Sequence, residues 1–543
     1  MLIANRKNSP LEQRQRLSRS MIWQLQRNFF DRQGIEAWRA DGVPYHITSN
    51  PFIADAYARI VFGFLRDCQR APAGLDSEQP LYIVELGSGH GRFGFLFLKR
   101  FLRLLSNSAF HDQPIKYLMT DFTRRNIDYW RTHEWLKPFI EKGVLDFALF
   151  DAEKDQELRL EISGEVLSAS TLRNPLTVIA NYVFDSIPQD AFSLQDGQLF
   201  ENLVTVVSGR KEPVLDDPEL LSRIEVLYHH NPANSDYYGD SEWDQILEDS
   251  RQRLPGTEFL FPIAALQCIR NLDRLAQGRL LLLSADKGYN RDEALLWGQG
   301  FPGIVMHASF SMMVDYQIIG KYFIRHGGQA LHPTHQHENL NISAFWLNDS
   351  GSGVCETRQA YRETIEKFGP DDFFSLSQGL GAGGGVWGFE QLLAFLRLSC
   401  WDYVVFRDCL SGFKRHLPEI SEAQHQKLFE AIKHVWDLHY PIGEEFDLAF
   451  QLGTLLLEMH LYPEALDLLN HSVAIYGMEP GTAYNMAICH YHLRQMSEAR
   501  NHINQALEMD PDFDAAKALR IKLESPQTVE SATPGSRGSL QQL

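Results

Sequence analysis

The chain has 543 residues, 44% hydrophobic and 22% charged, which at about 100–200 residues per domain is material for two to four folded domains. Its 70 acidic residues exceed its 51 basic ones, giving a formal charge of −19; such a surface repels phosphate backbones and argues against general nucleic-acid binding. No run approaches the ~20 continuous apolar residues of a membrane-spanning helix, so a spanning role is excluded too.

In chain order, residues 1–78 read as an N-terminal helical, substrate-side segment. Leu11, Leu17, Met21, Leu25 and Phe29 recur at helical spacing, which predicts an amphipathic helix that caps the next domain. The same stretch is basic (Arg6, Lys7, Arg14, Arg16, Arg19, opposed by Glu12), a composition shared by mitochondrial transit peptides. Six scattered cysteines without a CxxC pair suit a reducing compartment. The expected location is cytoplasmic, with the mitochondrial matrix as the alternative.

Residues 79–349 alternate short apolar runs with helix-like segments. YIVEL (82–86), IKYLMT (115–120), LDFALF (145–150), LTVIANYVF (176–184) and RLLLLSA (279–285) read as buried strands. The stretches 93–105 and 265–275 read as helices between them. Continuous apolar strands separated by helices predict an α/β, Rossmann-like domain, its mostly parallel sheet covered by helices on both faces. At about 190–258 lies a polar insert with a hairpin signal, FSLQDGQLFENLVTVV, expected to form a cap or a partner surface.

After residue 355 the strand signal stops. Residues 355–440 read as a helical linker domain and 525–543 as a disordered tail. Between them, 441–524 carry an internal repeat. Gly453 and Ala487, Ala465 and Ala499, Ser472 and Ala506, Leu452 and Met486, and Phe450 and Tyr484 are each 34 residues apart. That is the tetratricopeptide period, so an all-α, repeat-containing domain is expected, with a concave surface suited to a protein or peptide partner.

Two other motifs are set aside. GLGAGGG (379–385) follows no strand and reads as a linker. HPTHQH (332–337) offers a candidate metal cluster, but its spacing matches no standard site and no acid or cysteine partner is apparent, so it reads as a turn and no metal is expected.

The chemistry concentrates at YIVELGSGHGRFG (82–94). A strand ends in Glu85, and Gly87, Gly89 and Gly91 let the backbone turn sharply and approach a ligand at the start of a helix. The pattern has neither the Lys-Ser/Thr of a P-loop nor the G-x-G-x-x-G of a dinucleotide fold. It resembles motif I of class I S-adenosylmethionine-dependent methyltransferases. That resemblance implies S-adenosylmethionine as cofactor, with Glu85, Gly87, Ser88, Gly89 and Gly91 around its amino-acid part. Asp121, at the end of the second strand and followed by Phe122, can accept both ribose hydroxyls. Asp151, after the third and beside Ala152, can accept the adenine amino group. Ligands of open α/β sheets lie beyond these carboxyl ends of the strands.

The fourth strand opens IANYVFDSIPQDAF (179–192). With GVPYHITSNPFIADAYARIVFG (42–63), LLLLSADKGY (280–289) and HASFSMMVDYQIIGKYF (307–323), it resembles the MidA family of methyltransferases over residues 40–345. Members of that family methylate arginine on a respiratory-complex subunit. Here Tyr182 stands where the family has Glu, which removes one carboxylate that could clamp a guanidinium. Asn181 and Asp185 remain to orient the acceptor, Asn181 also lying beside the cofactor. Asp185 read structurally is a helix N-cap. Tyr45, His46 and Tyr182 are candidates to line the acceptor side, with His46 or Asp185 as the base.

The expectation is a methyltransferase acting on a protein or peptide recruited by the repeats. A cofactor-binding adaptor without catalysis and a small-molecule methyltransferase are the alternatives. A homo-oligomer is compatible with either.

Overall fold

Apolar runs such as Leu81–Val84 and Leu280–Leu283 are stable as strands only where both faces of a sheet are covered, and every residue of the strands they open, Leu81–Leu86 and Leu280–Asp286, is buried. The computed structural model describes residues 9–524 except 40–42, 73, 211, 213, 215–216, 218, 235, 255, 297–302, 336, 338, 349–353 and 382–386. Arg6, Lys7, the tail 525–543 and part of the GLGAGGG run lie outside the described residues. The chain divides into two units, Met1–Gly379 and Leu380–Leu543.

The first unit is built on a seven-stranded sheet: β1 (Leu81–Leu86), β2 (Ile115–Asp121), β3 (Leu145–Leu149), β4 (Leu176–Asn181), β5 (Leu280–Asp286), β6 (Gln329–Leu331) and β7 (Asn341–Leu347), in the order β6-β7-β5-β4-β1-β2-β3. The pairings among β1–β5 are parallel, and β7 runs antiparallel between β5 and β6. The chain leaves β1 in one direction for β2 and β3 and later returns on its other side as β4. The crevice between β1 and β4 is therefore the switch point of the sheet, where a ligand has access to the strand ends. Strand β4 stops at Asn181, short of the expected Phe184, because Tyr182 turns to a φ of +53°.

The N-terminal segment departs from its helical expectation. Ser9–Gln15 is a strand, antiparallel to Gln198–Ser208, and helix α1 begins only at Met21 and runs to Gln33. Pro10 cannot donate within a helix, and the Glu12 carboxylate accepts from the Met21 amide at 3.0 Å and from the Ser20 hydroxyl, which fixes where the helix starts.

The insert is also more regular than its composition implies. Its hairpin pairs Asp190–Gln195 with Gln198–Ser208 across Asp196 and Gly197, both at positive φ, the conformation of a two-residue hairpin turn. Ile224–Pro232 and Glu258–Phe261 extend this pair, and with Ser9–Gln15 they complete a five-stranded antiparallel sheet.

Helix α2 (Pro51–Arg70) starts cleanly: the Asn50 side chain accepts from the Phe52 and Ile53 amides at 3.0 and 3.1 Å, and Pro51 occupies the first helical turn. Near its other end Asp67 accepts from the amides of Glu356 and Thr357 and from the Thr357 hydroxyl, the amide bonds being 3.2 and 2.8 Å. Gly63 lets the two backbones approach, since a Cβ there would lie 2.8 Å from the Glu356 carbonyl oxygen. The helices at 355–381 thus belong with the sheet unit, and the division falls near residue 380 instead of 350.

The second unit holds helices Phe389–Leu398, Tyr403–His416 and Glu422–Asp437, followed by helix pairs Leu448–Glu458/Tyr462–Tyr476 and Pro480–His492/Met496–Met509, then Asp514–Glu524. The two pairs repeat in backbone detail. His460 and Arg494 both adopt positive φ, and the next amides, of Leu461 and Gln495, donate to the Leu456 and His490 carbonyls at 2.9 Å in each case. Gly453, Ala465, Ala487, Ala499 and Ala506 are buried where the helices meet.

Candidate functional site

The turn after β1 is folded onto its neighbours by its own amides. Ser88 N–H donates to the Thr120 carbonyl (2.8 Å), Gly89 N–H to an Asp121 carboxylate oxygen (3.2 Å) and Gly91 N–H to the Ser88 carbonyl (2.8 Å). Gly87, Gly89 and Gly91 all have positive φ, the region in which only glycine sits without strain. Helix α3 (Arg92–Ser106) follows at once. Two further contacts account for the spacing of the glycines. A Cβ at Gly87 would lie 3.1 Å from Val183, and one at Gly89 would lie 2.9 Å from the Trp38 ring.

Two adjoining hollows open on this turn, sharing Phe30, Trp38, Gly87, Tyr182 and Ser186. The first, here the β2–β3 side, takes in Asp121, Phe122, Phe150, Asp151 and Ala152. The second, the β4 side, takes in Glu85, Ser88, Gly89, Asn181 and Asp185, with Tyr45, Lys287 and His307 across from them. Trp38 stacks on Phe30 with ring centroids 5.9 Å apart, so an aromatic wall stands over the glycine turn.

The carboxylates differ in how they are held. Glu85 is buried and accepts from the Tyr117 hydroxyl at 3.0 Å; burial raises its pKa to about 8, with the Asp121 charge adding to the shift. Burial likewise raises Asp121 to about 6, against bonds from Asn126, Thr123 and Gly89 that favour its charged form. Asp151 behaves in the opposite sense. Burial works against ionisation there, but the nearby Arg27 guanidinium, 2.8 Å away, holds its pKa below the usual carboxylate range. Arg27 also lies over the Phe122 ring, 4.5 Å from its centroid. Asp151 is thus committed to an ion pair, and its role as an open acceptor is the part of the sequence reading that this geometry revises.

On the β4 side Asn181 is fixed by helix α2: the Tyr57 hydroxyl donates to its Oδ1 at 2.9 Å. Its Nδ2 is buried with no hydrogen-bond partner among the described residues, and an unmet buried donor costs about 1–3 kcal/mol. Asp185 is not a helix N-cap. It sits inside a short 3-10 turn, Phe184–Ser186, where the Ser186 hydroxyl donates to it at 2.8 Å. Behind it lies Asp286, fully buried and bonded by the Tyr316 hydroxyl at 2.7 Å and the Ser284 hydroxyl at 3.2 Å. Burial, and then the negative charge of Asp286, push Asp185 well above the carboxylate range, while Asp286 rises to about 6 by burial. The Asp185 amide lies 3.4 Å from Asp286 Oδ1, and neighbouring buried carboxyls of this kind titrate as a coupled pair.

The histidines rearrange the expected cast. His46 lies in the turn His46–Thr48 and is not among the lining residues, whereas Tyr45 and Tyr182 are. His90 and His307 line the β4-side hollow instead. In each, Nδ1 accepts a backbone N–H at 3.1 Å, from Arg92 and Ser309 respectively, so Nε2 carries the proton of the neutral ring. Burial and a neighbouring cation, Arg92 or Lys287, lower both pKa values and keep the rings neutral. His90 is legible as part of the glycine turn, and His307 opens the segment 307–323 that carries part of the family resemblance; it reaches the site through the irregular segment after β5.

No helix of the described residues is long and apolar enough to cross a membrane. No family model matches the chain, and no curated protein does. The solved structures to which the chain is similar include three of proteins from Burkholderia thailandensis. An uncharacterized superfamily protein shares 14% identity, covering 62% of this chain and 89% of its own at a TM-score of 0.39. A second, crystallised with S-adenosyl-homocysteine, shares 13%, covering 62% and 95% at 0.36. An O-methyltransferase family protein shares 11%, covering 61% and 64% at 0.25.

Proposed function

We propose that the chain is an S-adenosylmethionine-dependent methyltransferase whose cofactor spans the two hollows. The observation that carries this reading is one hollow lined by the glycine turn, Glu85 and Asn181, whose buried Nδ2 has no hydrogen-bond partner among the described residues. A zwitterionic head group fits this set: Nδ2 and the turn meet its carboxylate, and Glu85 meets its ammonium. Asp121 suits a vicinal diol, and the hollow that Phe122 and Phe150 help to line suits a planar base. An arriving adenosine would displace or share Arg27, which now occupies Asp151.

When bound, the cofactor supplies an electrophilic methyl group. The protein's part is to hold the acceptor in line with it and to exclude water. Trp38, Tyr45 and Tyr182 form the walls, and the Nε2–H groups of His90 and His307 are donors that orient an oxygen or nitrogen lone pair. Proton removal falls to the Asp185–Asp286 pair: Asp185 takes the acceptor's proton as its own passes to Asp286. The pair can do so only while Asp286 is ionised, so turnover is lost as pH falls through about 6.

The acceptor belongs to a protein or peptide bound by the second unit, whose helix pairs repeat at the tetratricopeptide interval down to their turn hydrogen bonds. Calorimetry of the purified full chain with S-adenosylmethionine and with its demethylated product tests the cofactor; absence of binding would sink the reading. Incubation with a labelled methyl donor and cell lysate then tests the acceptor. Label in proteins is expected, label in small molecules alone assigns a metabolite substrate, and tight cofactor binding with no label anywhere identifies an adaptor.

A further inference from the structure

Away from the hollows, the loop between β6 and β7 meets helix α4 (Pro370–Gly381). Two contacts tie them together: Asp371 Oδ1 accepts from the amides of Asn339 and Leu340, at 3.0 and 3.1 Å. This brings His335, His337 and Asp372 into one cluster whose ligand atoms all lie within 4.8 Å of one another. The clustered carboxylate comes from a helix, 35 residues beyond His337.

The side chains are poised as ligands. His337 is 2% exposed, and its Nδ1 lies 3.0 Å from the Leu340 carbonyl. A carbonyl only accepts, so Nδ1 bears the proton and Nε2 presents a lone pair, the usual arrangement of a metal-bound histidine backed by a main-chain oxygen. That Nε2 faces the Nε2 of His335 at 2.6 Å. Asp372 takes the Gly369 amide on Oδ2 at 2.9 Å and points Oδ1 at His335 Nε2, 3.8 Å away. Two imidazole nitrogens and a carboxylate oxygen converging on one point are a borderline-soft ligand set, suited to zinc and its neighbours and unsuited to magnesium or calcium.

We infer that His335, His337 and Asp372 form a binding site for one divalent transition-metal ion of the zinc class, linking the β6–β7 loop to helix α4. At metal–nitrogen distances of about 2.0–2.1 Å in tetrahedral coordination, the two nitrogens must separate to about 3.3 Å. His335, with 42% of its side chain exposed, has room to make that adjustment. Three protein ligands leave one coordination position for water or a substrate group. The inference is independent of the methyltransferase reading, because none of the three ligands lines either hollow.

The test uses the untagged full chain, freed of metal with a chelator and titrated with Co2+, followed by displacement with Zn2+. The expected result is one equivalent of Co2+ at micromolar concentration with a visible ligand-field spectrum, abolished by Zn2+. His335→Gln and Asp372→Asn, both at partly exposed positions, should each weaken binding by at least ~10–100-fold. His337→Ala carries a folding risk and is not needed. No saturable Co2+ binding to wild type, or affinity unchanged in both variants, would overturn the site and leave an ordinary histidine–histidine hydrogen bond.

Discussion

The two hollows that share Gly87 and Tyr182 are built in different ways. On the β2–β3 side the acids come from consecutive strand ends, Asp121 closing β2 and Asp151 following β3, with Trp23, Gln26 and Arg27 of α1 set against them. The β4 side is assembled from segments far apart in the chain, with Tyr45, Asn181, Lys287 and His307 facing one another. A hollow built on the sheet is held by the ladder hydrogen bonds of five parallel strands. One built from loops depends on particular side-chain links, such as Tyr57 to Asn181 and Ser186 to Asp185. Changes confined to the Asp185–Asp286 pair should therefore abolish turnover while cofactor binding survives, and the reverse pattern would break the comparison.

The largest loss of binding is expected at the shared turn. Gly89→Asp puts a side chain at positive φ against Trp38 and should weaken binding of the cofactor and its product by about 100-fold or more, read by calorimetry (about 2.7 kcal/mol). Next is Asp286→Asn, which removes the proton sink behind Asp185. Turnover should drop about 10²–10⁴-fold and its acid limb near pH 6 should vanish, while cofactor affinity stays within a few-fold. An equal loss of affinity would show that the two sides are not separable.

Glu85 sharpens the same contrast through protons. Its folded pKa of about 8 lies above the unfolded carboxylate value, so the folded state binds more protons across the interval between them. Its contribution to stability is complete below the unfolded pKa and is lost as pH rises through about 8. An ammonium beside Glu85 would reverse this and expel its proton. Calorimetry at pH 7 in buffers of different ionisation enthalpy should reveal proton release on binding, absent in Glu85→Gln.

The smallest effect lies outside both hollows. Gly63→Ala drives a methyl group against the Glu356 backbone and should destabilise by about 1–3 kcal/mol, lowering the melting temperature with cofactor affinity unchanged.

What could be read in advance follows the same division. The strands β1–β5 were visible as apolar runs, and the glycine turn with its following acids marked one hollow. The edge pair β6 and β7 was not, since a short antiparallel return carries no helix between strands to announce it. The N-terminal strand looked helical because Leu11 fits the spacing of the helix that begins ten residues later. His46 and His307 both lie in segments that carry the family resemblance, and only the fold decides that His307 lines the hollow; Asp286 lies in a third such segment, where nothing local pairs it with Asp185.

Local rules decided a great deal: an unbroken apolar run must be a covered strand, three glycines must turn, and a 34-residue rhythm of small residues must bring helices together. These outcomes depend on a residue and its near neighbours, so the order of amino acids determines them. The pairing of Asp185 with Asp286, the ion pair of Arg27 on Asp151, and the meeting of His335 and His337 with Asp372 depend on distances across the fold. Whether a carboxyl keeps its proton, or an imidazole finds an acid, is set by burial and by partners brought from elsewhere in the chain. Only the packed structure could decide those.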